Sequence, residues 1–168
     1  MSMKKVILEV LRKKVAGNSD YLSAIKISEI FDLSLAFVYL VVKNEKVKSR
    51  KKFGRIEYDI VSFLETLEFK ENIDFIENPL SKEDFDINNY YNWFSKNEIE
   101  RFLENILLDE LGEFTSTKKL VELFGISKTS WYEILEKGKL IYFNIESRKV
   151  IITRSLLPYL REAMQEKE

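Results

Sequence analysis

The sequence predicts a mainly α-helical fold with small β-hairpins, built from two copies of one unit. Residues 31–34 read Phe-Asp-Leu-Ser and residues 124–127 read Phe-Gly-Ile-Ser, an offset of 93 residues. In both places two helical apolar patterns flank this short turn, and a hairpin pattern follows them. The same offset aligns further identical residues: Lys26 with Lys119, Glu29 with Glu122, Ser34 with Ser127, Tyr39 with Tyr132, Lys46 with Lys139 and Arg55 with Arg148. An offset that holds across about 30 positions indicates a structural repeat.

Charge divides the chain into the same parts. The net charge of the chain is −1, but residues 1–68 carry +4, residues 69–113 carry −8 and residues 114–168 carry +3. We therefore expect a first unit over residues 1–68, an acidic and aromatic helical connector over 69–112, and a second unit over 113–168. The location of charge decides phosphate binding, so two basic units are compatible with nucleic acid as a partner.

The composition argues against several classes of function. The chain has no cysteine and no histidine, so thiol chemistry, zinc–thiolate sites and the commonest general base are excluded. No apolar run approaches the roughly 20 residues that span a bilayer, and charged residues interrupt the apolar positions near the N-terminus. We expect a cytoplasmic, non-enzymatic protein without a cofactor, a metal ion or a membrane partner.

In the first unit, residues 3–16 predict a leading amphipathic helix. A short helix then begins at Ser23 or Ala24, Ser34 caps a second helix over residues 35–44, and Asp59 caps a closing helix. Residues 47–49 and 55–58 predict the strands of a hairpin.

The second unit repeats this order. Thr115 or Ser116 caps a helix that ends at Phe124, residues 128–137 form the next helix, and Ser155 opens the last one. Residues 140–145 and 149–153 predict a hairpin about three residues longer than the first.

The connector predicts one clear helix over residues 97–111. Its apolar positions recur at spacings of three and four and are expected to face inward: Ile99, Phe102, Leu103, Ile106, Leu107 and Leu111. Its acidic side chains are expected to face solvent: Glu98, Glu100, Glu104, Asp109 and Glu110. The aromatic run at residues 89–94 predicts a core or dimer contact, because the surrounding acidic charge opposes stacking on nucleic-acid bases.

The repeated unit resembles the winged helix-turn-helix domain of the excisionase and MerR-type DNA-binding families. The better copy is TKKLVELFGISKTSWYEILEKGKLIYFNIESRKVIITRSLLPYL, residues 117–160. The matching positions are Leu120, Phe124, Gly125-Ile126-Ser127, Ile134, Gly138-Lys139-Leu140 and Arg148. The first copy, residues 24–67, has Asp32 and Glu45 where the pattern has glycines. The resemblance implies two winged helix-turn-helix units and double-stranded DNA as the ligand.

DNA contacts in the second unit are expected at the start of its second helix and on its hairpin. The first turn of such a helix reaches base edges in the major groove, and here it carries Lys128, Thr129 and Ser130. Arg148 and Lys149 on the hairpin are expected to contact the DNA backbone or the minor groove.

The first unit predicts a different division of work. Its hairpin is strongly basic, and we expect phosphate contacts from Lys48, Arg50, Lys51, Lys52 and Arg55. Its second helix opens with Leu35, Ala36 and Phe37, which cannot hydrogen-bond to base edges. Leu35 and Phe37 suggest an alternative function for this unit, which is to bind a protein partner or a second copy of the chain.

Overall fold

The structure, a computed structural model, describes residues 3–14, 19–69 and 94–166. These residues form a mixed α/β fold with two small antiparallel sheets. The helices are α1 (Met3–Lys14), α2 (Ala24–Phe31), α3 (Leu35–Asn44), α4 (Ile60–Leu64), α5 (Glu98–Leu111), α6 (Thr117–Phe124), α7 (Lys128–Glu136) and α8 (Leu156–Gln165). The strands are β1 (Tyr21–Leu22), β2 (Ser49–Lys52), β3 (Arg55–Asp59), β4 (Leu67–Phe69), β5 (Phe114–Thr115), β6 (Tyr142–Ile145) and β7 (Arg148–Ile152).

The repeat in the sequence is a repeat in the structure. Helices α2 and α6 begin and end 93 residues apart, and so do strands β2 and β6, and strands β3 and β7. The strand registers agree as well, since Lys52 pairs with Arg55 and Ile145 pairs with Arg148. Both hairpins therefore have two-residue loops, and the expectation of a longer second hairpin is wrong. Leu140 and Ile141 precede the first strand of this hairpin, and a 3₁₀ turn begins at Thr153, directly after the second.

Serine caps and left-handed residues fix the two helical turns. The Ser34 hydroxyl accepts a hydrogen bond from the Phe37 amide, and the Ser127 hydroxyl accepts one from the Ser130 amide. Before each cap the chain turns through the left-handed region, with φ of 53° at Asp32 and 68° at Gly125. Aspartate adopts this conformation more readily than most residues. This explains how Asp32 replaces the glycine of the second copy.

The described residues up to 69 form the first half of the molecule and residues 94–166 form the second half, and the two halves share one core. Strand β4, at the end of the first half, pairs with β6, so the second sheet has the order β4-β6-β7-β5. Phe31 lies at the centre of an aromatic cluster, with ring centroids 5.6 Å from Phe63, 5.0 Å from Phe114 and 6.2 Å from Phe143. Phe31 and Phe63 come from the first half, and Phe114 and Phe143 come from the second. The expected boundary at residue 68 thus falls inside a strand that joins the halves.

Helix α5 is present as expected, but it is rotated relative to the prediction. Ile99 is 81% exposed and Phe102 and Ile106 are also exposed, whereas Glu104 is buried. Glu104 faces inward because Arg154, itself buried, donates a hydrogen bond to its carboxylate. Arg154 also makes two hydrogen bonds of 3.0 Å to the buried Glu113. The assignment of Glu104 to the acidic outer face is therefore wrong.

The rest of the expected connector, residues 70–93, lies outside the described residues, and with it most of the aromatic run at 89–94. Phe94, the last residue of that run, is buried. Within the described ranges, no helix has the length and apolar character needed to cross a membrane.

Candidate nucleic-acid interface

A groove of about 740 Å³ lies where the turn between α2 and α3 meets the second half. The first half contributes the turn and the start of α3, and the second half contributes the starts of α6 and α7 and the tip of its hairpin. Four cationic side chains and two carboxylates line it: Lys118, Lys128, Arg148, Lys149, Asp32 and Glu122. The groove therefore has an excess of positive charge.

The start of α7 is accessible from this groove. Lys128 and Thr129 are exposed, and Ser130 is half-buried. The Ser130 hydroxyl lies 2.9 Å from the Ser127 hydroxyl, so it takes part in the cap of the helix. The Lys128 ammonium lies 5.5 Å from the centre of the Tyr132 ring, one turn later. Lys128 and Thr129 thus have the freedom that contact with a base edge requires, and Ser130 is more constrained.

The tip of the second hairpin faces the first half of the molecule. The Arg148 guanidinium lies 5.5 Å from the centre of the Phe37 ring, a cation–π contact between the two halves. The Lys149 ammonium lies 4.8 Å from the centre of the Tyr142 ring. Phe37 is half-buried and packs against the core, so it is less available to a partner than the sequence suggested. The structure brings Lys128, Arg148, Lys149 and Phe37 together around one groove.

Asp32 fixes the geometry of the groove. Its carboxylate accepts a hydrogen bond of 2.5 Å from the Ser116 hydroxyl and lies 3.2 Å from the Lys119 ammonium. Ser116 caps α6, so a carboxylate from the first half lies at the start of a helix from the second, where the helix dipole favours negative charge. The sequence gives no indication of this contact, since nothing in the repeat shows how its two copies pack.

The basic hairpin of the first half lies apart from the groove. Lys48, Lys51, Lys52 and Arg55 are exposed on it. Strand β2 is an edge strand in the order β1-β3-β2, whereas the equivalent edge of β6 is covered by β4. The first hairpin is therefore open to a partner along its edge and at its tip.

Arg50 differs from the other cations of this hairpin. It forms an ion pair of 2.9 Å with Glu57, its cross-strand neighbour, and its guanidinium lies 3.8 Å from the centre of the Tyr21 ring. These contacts occupy the guanidinium within the molecule. Of the five expected phosphate-binding residues on the hairpin, Arg50 is thus the one already held by an ion pair.

The outer surface of α3 is apolar. Leu35, Tyr39 and Leu40 are exposed on it, although they belong to the helix that is equivalent to α7. The equivalent positions of α7 hold Lys128, Tyr132 and Glu133, so charged side chains stand in place of the two leucines and the tyrosine is retained. The two second helices therefore present different chemistry to a partner.

The described residues contain no group of three acidic side chains that could hold a metal ion. Comparisons with protein-family models, curated proteins and solved structures find no match to this chain.

Proposed function

We propose that this protein is a non-enzymatic, double-stranded DNA-binding protein with two divergent winged helix-turn-helix units, similar to excisionase and MerR-type regulators. The observation that carries the proposal is the convergence of Lys128, Arg148 and Lys149 on one groove at the exposed start of α7. A cluster of cations neutralises the phosphate groups of DNA. An accessible helix start beside it is what base readout needs.

In this proposal the second half reads sequence. The first turn of helix α7 enters the major groove. There Lys128 reaches guanine or phosphate, and the Thr129 hydroxyl can donate to or accept from a base edge. The free backbone N–H groups at the start of the helix donate hydrogen bonds to a phosphate oxygen. Arg148 and Lys149 follow the adjoining backbone.

The first half supplies affinity in this proposal. Lys48, Lys51, Lys52 and Arg55 project from an open hairpin, where each can neutralise a phosphate without reading a base. Arg50 holds the strands together through Glu57 and makes a smaller contribution. The protein thus combines a reading unit with an anchoring unit on one shared core.

A second candidate function is supported by α3. Its exposed Leu35, Tyr39 and Leu40 form an apolar surface at the place where the other unit has Lys128, Tyr132 and Glu133. A protein partner would bury this surface, and charge neutralisation would be unnecessary. This candidate predicts an interaction that is insensitive to salt, which separates it from DNA binding.

Selection of duplexes from a random pool tests the reading role of α7. We expect the wild-type protein to select a defined motif, and Lys128→Ala/Thr129→Ala to lose preference at one to two base pairs. Each lost base contact reduces discrimination by about 1–3 kcal/mol. The matched control is Lys51→Ala/Lys52→Ala, which we expect to weaken binding to all duplexes and leave the motif unchanged. An unaltered motif in Lys128→Ala/Thr129→Ala would refute the reading role.

A further inference from the structure

The tip of the first hairpin carries an exposed aromatic residue. Phe53 is 93% exposed, the largest fraction among the large apolar side chains of the described residues. Its neighbour Gly54 lies in open space, since a Cβ added there would meet no heavy atom within 4 Å. Because its side chain is almost fully exposed, the Phe53 ring projects beyond the end of the sheet without packing against the core.

The backbone at this tip is also unusual for an aromatic residue. Phe53 has φ of 48° and Gly54 has φ of 77°. Two-residue hairpin loops with both φ values positive prefer Asn-Gly or Asp-Gly, and a bulky residue is disfavoured there. The exposed Phe53 side chain makes no core contact that would offset this conformational cost.

The second hairpin provides an internal comparison. Its loop holds Glu146 and Ser147 in the places of Phe53 and Gly54, and Glu146 also has a positive φ, of 50°. The repeated scaffold thus requires the backbone conformation at this position and does not require an aromatic side chain. The aromatic residue occurs on the hairpin whose end carries more exposed cations, Lys51, Lys52 and Arg55.

Cationic residues flank the loop that carries Phe53. Lys52 places its ammonium 5.8 Å from the centre of the Phe53 ring, and the side chains of Lys51 and Arg55 are exposed beside it. Lys52 and Arg55 are cross-strand partners, so they lie on the same face of the hairpin. An apolar tip between phosphate-binding side chains has the chemistry of a residue that enters a groove between two phosphate backbones.

We propose that Phe53 is an apolar wedge that enters the minor groove of bound DNA and partly unstacks one base-pair step. The proposal rests on the DNA-binding function given above and adds its mode: the first hairpin bends the duplex. Architectural proteins insert phenylalanine and other apolar residues in this way and bend DNA away from the wedge. Pyrimidine–purine steps unstack most easily, so the wedge also confers a preference for such a step where the hairpin makes no base hydrogen bond.

Energy transfer between dyes at the two ends of a duplex tests the wedge. The duplex is the one selected by the wild-type protein, and the variants are Phe53→Ala, Phe53→Leu and Ile56→Ala. Ile56 is a matched control, an exposed apolar residue on the same hairpin. We expect the wild type and Ile56→Ala to bend the duplex by roughly 20–90°. Phe53→Ala leaves it nearly straight, and Phe53→Leu restores part of the bend because leucine is also a wedge residue.

Salt titration of the same complexes separates the wedge from the phosphate contacts. Phe53→Ala loses the wedge, so we expect its affinity for the duplex to fall. It removes no cation, so the dependence of its affinity on salt should stay that of the wild type. A wild-type complex with a straight duplex, or a Phe53→Ala complex as bent as the wild type, overturns the wedge and leaves the DNA-binding function standing. A wild-type protein that binds no duplex overturns the proposed function and the wedge with it.

Discussion

Arg154→Met is expected to lower the free energy of unfolding by about 3–5 kcal/mol, because it leaves two carboxylates in the interior without their shared cation. Arg154, Glu104 and Glu113 are all buried, and the guanidinium bridges both acidic side chains. Methionine fills a similar volume and adds no charge. Urea unfolding followed by circular dichroism measures the loss.

The loss in Arg154→Met should grow with pH. Burial raises the pKa of the Glu104 carboxyl, and the positive charge of Arg154 opposes that rise. A carboxyl whose folded pKa is raised stabilises the fold while protonated, and this contribution disappears as the pH rises through the folded pKa. Removing Arg154 raises the pKa of Glu104 further. The free energy of unfolding of the variant should therefore be lower at about pH 8 than at about pH 5.

Glu104→Gln is the matched control for the buried cluster. It keeps the size of the side chain, removes one negative charge and leaves both hydrogen bonds between Arg154 and Glu113 in place. We expect a smaller loss than in Arg154→Met and a flatter dependence of stability on pH. Equal losses in the two variants would contradict the description of Arg154 as the cation on which both acids depend.

Phe31→Ala is expected to destabilise the whole molecule by about 3–5 kcal/mol, the usual range for a buried phenylalanine. Phe31 is fully buried and its ring contacts aromatic rings from both halves. Since the cluster joins the halves, we expect one cooperative unfolding transition in the wild type and in the variant. Thermal unfolding by circular dichroism provides the measurement.

The repeat supplies the control for this prediction. Phe124 is the residue equivalent to Phe31, but it is half-buried and lies beside Trp131, with ring centroids 5.6 Å apart. Phe124→Ala should therefore cost less than Phe31→Ala. Equal costs, or two separate transitions in the wild-type protein, would show that the halves do not share a core.

The sequence was a good guide to local structure. Capping and turn residues act locally, so Ser34, Ser127 and Asp59 cap helices as expected. The offset of 93 residues also predicted the correspondence of α2 with α6, because both copies carry the same apolar spacing. These features depend on residues within about four positions of one another, where propensity and hydrogen-bonding rules apply.

Features that depend on distant residues were missed. Apolar spacing predicted α5, but the side that faces inward was decided by Arg154, 50 residues after Glu104. The hairpin pattern predicted β6 but gave no indication that β4 would pair with its edge. The composite groove has the same origin, because the Asp32 contact with Ser116 joins residues 84 positions apart. Periodicity reports that a helix has an apolar side and leaves the partner of that side undetermined.

Salt dependence of binding to a short duplex is the most direct test of DNA binding. With salt raised from about 50 to 200 mM, we expect the logarithm of the binding constant to fall linearly, by about 0.9 per phosphate contact per logarithmic unit of salt. Lys51→Ala/Lys52→Ala/Arg55→Ala should make this slope shallower by up to about 2.7. A control that removes three exposed lysines elsewhere, Lys5→Ala/Lys26→Ala/Lys96→Ala, should leave it unchanged. A wild-type protein that binds no duplex at the lowest salt, or binds with a slope near zero, would contradict the proposed function.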